Sequence, residues 1–165
     1  MCSYLIVDQI KLLFPRIACI VLIVLLVVSC GDNTKTTESI GKNRLIANIS
    51  GIVKDTKTGL EWYAGPVEST TWDGAKRWVE SLNKDEFAGG GWRMPTIEEL
   101  KTLYQEGVGT RNMTPLLKTS GQFVWSGKTE GSVFAWDFNF STGSEGWANR
   151  GYSYNRRGFA VRSRK

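Results

Sequence analysis

An α+β domain is predicted by three features of this 165-residue chain. Apolar residues recur at helical spacing in two stretches, between residues 71 and 83 and between 96 and 104. From residue 123 onward the period changes to two, the mark of half-buried strands. Before the helices, two short β-prone runs, Ile52–Asp55 and Leu60–Tyr63, flank a turn ending in Gly59. Hairpin, helix, helix, long loop and antiparallel strands make an α+β order whose chain ends lie near one another.

The chain opens with something other than this domain. Residues 17–28 (IACIVLIVLLVV) are an unbroken apolar run preceded by Lys11 and Arg16. The run falls short of the roughly 20 residues of a spanning helix and matches the apolar centre of an export signal. Val27-Val28-Ser29-Cys30 looks like a bacterial lipobox, with a small residue before a cysteine that is cleaved on its N-terminal side and acylated. The expectation is a lipoprotein signal over 1–29, a lipidated Cys30, and a membrane partner reached through that lipid. The alternative, an uncleaved anchor reaching back to Leu12, would place Pro15 and Arg16 inside the span, which is costly. Gly31 stands where Asp marks inner-membrane retention in some bacteria, which favours the outer membrane.

Cleavage at Cys30 removes Cys2 and Cys19, and the chain has no histidine. The mature protein then lacks a free thiol, a disulfide, an imidazole base and the commonest zinc ligand. That excludes Cys–His and Ser–His catalysis and points away from an enzyme. Net charge is +5, and loss of Lys11, Arg16 and Asp8 with the leader lowers it by one. This is a mild attraction to anions, not the charge of a nucleic-acid binder.

Residues 30–50 are polar, without apolar period, and are expected to be the lipidated cysteine and a flexible tether. The domain proper is placed at 51–165, which holds all seven tryptophans. In the first helix Thr71 is the N-cap, and Ala75, Trp78, Val79 and Leu82 form the buried stripe. In the second, Thr96 and Glu99 make a capping box, with Ile97, Leu100, Leu103 and Tyr104 buried. Gly89-Gly90-Gly91 runs into Trp92-Arg93-Met94-Pro95, not into the Lys-Ser/Thr of a phosphate loop, so a nucleotide cradle is excluded. Residues 105–122 are irregular. Strands follow at Phe123–Ser126, Val133–Phe140 and Gly158–Ser163. Phe134, Trp136, Phe138 and Phe140 share one face of the middle strand; Asp137 and Asn139, on the other, either line the adjoining groove or, as the favoured expectation, are its wet side.

With these residues placed, the domain resembles the collagen-like adhesin C-terminal (Lcl) family over roughly residues 51–165. It resembles the Fibrobacter-type major paralogous domain more distantly. The resemblance rests on Thr58-Gly59-Leu60-Glu61-Trp62, on Trp72 with Ala75, and on Gly91-Trp92-Arg93-Met94-Pro95-Thr96 followed by Glu99-Leu100. It continues through Trp125-Ser126, Ala135-Trp136, Phe138-Asn139-Phe140, Gly143 and Val161-Arg162. Gly127 and Ser163 depart from the family pattern. The resemblance implies a C-type-lectin-like fold with two helices and antiparallel sheets, and a binding rather than catalytic role. The formylglycine-generating enzymes share that fold, but their cysteines are missing here. The Glu-Pro-Asn, Gln-Pro-Asp and Trp-Asn-Asp calcium signatures of lectins are also absent. The reading therefore carries no cofactor, leaving open a calcium site built from backbone carbonyls.

Trp62, Trp78, Trp92 and Trp125 are expected in the core. The segment Ser141–Arg157 is expected to be a loop whose Trp147, Tyr152 and Tyr154 stack on sugar rings. Asn149, Arg150, Arg156 and Arg157 complete the candidate ligand-binding set, the arginines pairing with sulfate or carboxylate. Loops on a rigid scaffold often carry function; the competing reading is a loop covering the sheet, with solvated arginines. Glu98 and Glu99 near Glu106 are explained by capping and first-turn charge, not by acid–base catalysis. Arg162 either braces a core carboxylate or binds ligand. The sequons at Asn48, Asn112 and Asn139 are not read as glycosylation sites beside a bacterial lipobox. A glycan or protein ligand is expected, with a packing unit of an envelope assembly as the alternative; the pattern fixes no oligomeric state.

Overall fold

The computed structural model describes residues 44–163. The expected signal peptide, the lipidation site Cys30 and the tether up to residue 43 lie outside the described residues. Strand β1 is Leu45–Ala47, β2 Val53–Asp55 and β3 Leu60–Ala64; helix α1 is Trp72–Lys84 and α2 Ile97–Leu103. Strands β4 Phe123–Glu130, β5 Phe134–Asn139, β6 Ser144–Asn149 and β7 Arg156–Ser163 complete the chain.

Both helices start where their caps predict. The Thr71 side chain accepts from the Gly74 N–H at 3.1 Å, and Thr96 and Glu99 exchange both bonds of the capping box. Only seven residues long, α2 owes its stability to Ile97, Leu100 and Leu103 beneath it, because a helix that short is marginal alone.

The strands form one sheet in the order β1-β2-β3-β7-β4-β5-β6. Its neighbours are antiparallel except β4 and β7, which run parallel, so the sheet is mixed rather than wholly antiparallel as expected. The last strand lies at its centre, between β3 (Trp62 opposite Val161) and β4 (Trp125 opposite Gly158). Alternation along β7 assigns the faces. Phe159 and Val161 join the α2 residues, Trp62, Val124 and Phe138 in the main core. Ala160 faces the other way, into a cluster with Val79, Leu82 and Trp92 on the α1 side. The sheet is thus covered by α2 on one face and α1 on the other.

Close approach of α1 depends on Gly158. A Cβ there would sit 2.9 Å from Ala75 Cβ, nearer than two carbons can pack. Trp72 continues the contact, donating from Nε1 to the Ser126 carbonyl at 2.8 Å. Just beyond, the β4–β5 register shifts between Trp125 and Thr129. In that bulge the Gly127 N–H turns away to the Pro95 carbonyl, tying the sheet to the segment before α2.

One expectation about the chain's course needs correction. Residues 44–50 are not tether: β1 pairs with β2, Leu45 is buried, and Arg44 clamps Asp55. Three strand residues are too few to show a period, so the sequence hid this strand. The excursion 105–122 is anchored to the core by Met113 and Leu117, and the Asn112 amide donates to the carbonyls of Phe140 and Ser141.

Candidate functional site

The segment Ser141–Arg157 is strand β6, a turn on either side of it and the first two residues of β7, rather than a loop. Strand β6 forms a hairpin with β5 at the sheet edge, in a register that sets Trp147 opposite Trp136. Cross-strand partners share a face, so Trp147 belongs with the aromatic row of β5. It meets Phe134 edge-on at 4.9 Å between ring centroids and remains 56% exposed. Lys128 on β4 places Nζ 3.9 Å from the Trp136 ring centroid. The result is a platform on the outer strands, beside α2, where Lys101 pairs with Glu145 at 2.8 Å. Its chemistry is an aromatic surface rimmed by a cation, suited to stacking against an apolar ring face.

The other predicted residues lie elsewhere. Arg156 is buried in β7, donating from Nε to Asp137 Oδ2 at 2.9 Å. Its guanidinium sits against the rings of Phe123, Trp125 and Tyr152, with ring centroids between 4.7 and 5.1 Å away. Asp137 is consequently buried, not on the wet side as expected. Burial raises its pKa above the ordinary carboxylate range, although the charge and hydrogen bond of Arg156 pull the other way. Arg150 lies over the Trp72 ring at 4.2 Å and pairs with Asp73, docking the start of α1. Asn149 accepts from the Gly151 N–H and shapes the turn. Tyr152 and Tyr154 are exposed, but Tyr152 lies on Arg156, across the sheet from the Trp147 platform. Arg157 is also buried, among serine hydroxyls. The seven predicted residues therefore do not form one surface. Trp147 is separated from the arginines, and three of the four polar residues hold the fold together.

Sequence reasoning missed Phe134, Trp136 and Lys128 as neighbours of Trp147. The signal available was the alternation of β5, which already put Phe134 and Trp136 on one face.

A concavity of about 460 Å³ lies between α1, the Trp92–Met94 segment and the β4 bulge. Trp72, Trp92, Lys76, Glu80 and Thr129 line it. Its wall is already committed to structure: the Asn83 amide bonds both the N–H and the carbonyl of Trp92, and Arg93 forks onto Glu99. The triple glycine beside it has positive φ at Gly89, Gly90 and Gly91. That course turns the carbonyls of Ala88 and Gly90 onto Arg162 Nη1, at 2.8 and 2.7 Å. The glycines shape a cradle for a guanidinium, not for a phosphate. Arg162 braces Glu61, the first of its two expected roles. Trp62, Trp92 and Trp125 are core as expected, whereas Trp78 is only half-buried.

Glu99 is held below its ordinary pKa: burial alone would raise it, but bonds from Arg93 and Thr96 prevail. That fits a capping carboxylate. Among the described residues, no group of three or more carboxylate, thiol or imidazole side chains is arranged to hold a metal ion, and no helix is long and apolar enough to cross a membrane.

Residues 51–162 match the model of the Lcl C-terminal domain family. No curated protein matches the chain. The family match is consistent with an adhesin-like or binding domain.

Proposed function

Because the chain belongs to the Lcl C-terminal domain family, we propose that it is a non-catalytic binding protein of the bacterial envelope, held by lipid on Cys30. Its folded domain presents the Trp147 platform to a glycan or protein ligand, with carbohydrate the better fit. The observation that carries this reading is the exposure of Trp147 at an edge strand, beside Phe134 and the Lys128-capped Trp136. A large indole kept in water on a rigid hairpin has a hydrophobic cost that a stacking partner would relieve. Lys128 would favour an anionic sugar over a neutral one.

Glycan-array binding by the full-length protein, purified in neutral detergent, tests the proposal. Binding is expected to be lost in Trp147→Ala while the domain stays folded, its thermal midpoint lowered by only a few degrees. Equal binding by both proteins, or no glycan or protein ligand at all, rejects it. The anchor is tested separately: Cys30→Ala should abolish acylation and release unprocessed or soluble protein, whereas unchanged membrane retention favours an uncleaved anchor.

The alternative, a packing unit in an envelope assembly, draws support from the position of β6 at the sheet edge. A stable homo-oligomer that buries Trp147, seen by sedimentation and quenching of its fluorescence change, would favour that reading.

A further inference from the structure

Three arginines of this domain seat Nε on a carboxylate: Arg44 on Asp55, Arg156 on Asp137 and Arg162 on Glu61. Arg157 does not. It is buried, yet its Nε has no partner. Its Nη1 donates to Ser69 Oγ at 2.9 Å and to the Arg156 carbonyl at 3.0 Å, and its Nη2 to Ser120 Oγ at 2.7 Å. Among the described residues, no carboxylate lies within ion-pair distance of Arg157, Arg111 or Lys118. A guanidinium taken from water and given only neutral acceptors is poorly compensated.

The surroundings add positive charge. Arg111 reaches the same residue, donating to the Ser120 carbonyl at 3.3 Å. A hollow of about 210 Å³ beside it is lined by Arg111, Lys118, Thr110, Thr114 and Thr119. Ser69 and Ser120 are both exposed, so the guanidinium lies one hydroxyl layer below solvent. We infer that this place is an oxyanion site, in which a compact sulfate, phosphate or carboxylate group bridges Arg157 and Arg111, with the hydroxyl of Ser69 as a further donor; that of Ser120 already donates to the Val67 carbonyl at 3.0 Å. The anion takes Nη2 from Ser120 and supplies the charge partner that the other three arginines already have. Its oxygens match the planar fork of the guanidinium. Burial lowers the Arg157 pKa, the charge of Glu68 opposes this and that of Arg111 adds to it, as expected for a cation short of counter-charge. Glu68, exposed and next to Ser69, is the local competitor for an incoming anion.

This site stands apart from the Trp147 platform and does not rest on the glycan reading. The test is the thermal midpoint of the full-length protein in neutral detergent, titrated with sulfate, phosphate or acetate at fixed ionic strength. A saturable rise is expected. Its half-point should move up about tenfold in Arg111→Gln and move down in Glu68→Gln. Arg157→Lys keeps the charge but loses the fork and should also weaken the response; should it not fold, Arg111→Gln carries the test. Methyl sulfate distinguishes the sources: a response equal to sulfate assigns the end group of a larger ligand, and a response to inorganic ions alone assigns a free anion. An equal rise in wild type and Arg111→Gln would be general exclusion of sulfate from the surface and overturns the inference, as does no rise.

Discussion

Arg162 places Nε and Nη2 on a single oxygen of Glu61, at 2.9 and 2.7 Å, between the neighbouring strands β7 and β3. Both side chains are buried, and Nη1 gathers the glycine-loop carbonyls while the guanidinium stacks 4.2 Å from the Trp92 ring centroid. Truncating one partner of such a pair leaves a buried charge alone. Arg162→Met should therefore destabilise the domain by about 3–5 kcal/mol in urea titrations followed by tryptophan fluorescence. A loss below about 1 kcal/mol would show that the pair behaves as a surface contact.

Trp147 and Trp125 should respond very unequally to the same substitution. Trp125 is fully buried and donates from Nε1 to the Thr70 carbonyl, so Trp125→Ala should cost about 3–5 kcal/mol. Trp147→Ala should cost about 1 kcal/mol, mostly its edge contact with Phe134. Comparable losses at both positions would make Trp147 a core residue and remove the platform.

Gly158→Ala tests the contact between α1 and the sheet. The added methyl would meet Ala75, and the helix must shift, at a cost of about 1–3 kcal/mol. Pairing it with Ala75→Gly should recover part of that loss. A neutral Gly158→Ala would mean that the helix is free to move.

The acid limb of stability should depend on Asp55. Burial alone would raise its pKa, but hydrogen bonds from Arg44, Lys57 and Thr58 and the Arg44 charge outweigh burial and hold it below the ordinary value. A depressed folded-state pKa stabilises the fold above the unfolded value, near about 3.9, and this contribution is lost as pH falls through the folded one. Asp137 has the opposite sign: with a raised pKa, its contribution favours the fold at low pH and declines as pH rises through the window. Thermal midpoints between about pH 5 and 2 should fall less steeply in Asp55→Asn than in wild type. Parallel curves would contradict the assignment.

Both helix starts were legible because capping is local chemistry: Thr71, Thr96 and Glu99 act within three residues of themselves. The α+β class followed from periods that survive in the folded state. The arginines were not legible in the same way. Arg156-Arg157 after a Gly/Tyr/Ser/Asn stretch reads as a wet turn, yet extending the alternation of β7 back by two residues places Arg156 on the face of Gly158 and Ala160. Small residues mark a face covered by a helix, and Ala135 marks it equally beside Asp137. The buried pair Arg156–Asp137 was therefore half visible. What the sequence could not supply was the parallel pairing of β4 with β7, since no local pattern records which distant strand lies alongside. For the same reason Trp147 was grouped with its neighbours in sequence instead of with Phe134 and Trp136 across the hairpin.

The central place of β7 has a consequence for how the protein is made. A ribosome releases β7 after the other described strands of the sheet, and until then β3 and β4 have nothing between them. Trp62 waits for Val161, and Phe123 for Arg156. Such distant pairings form late and slowly, so a nascent chain would expose both half-sheets until β7 has emerged. Truncation before Arg156 would remove the whole middle of the sheet, not fray its margin. A domain that stays open until β7 emerges is also one that can be threaded through a narrow channel while still unfolded.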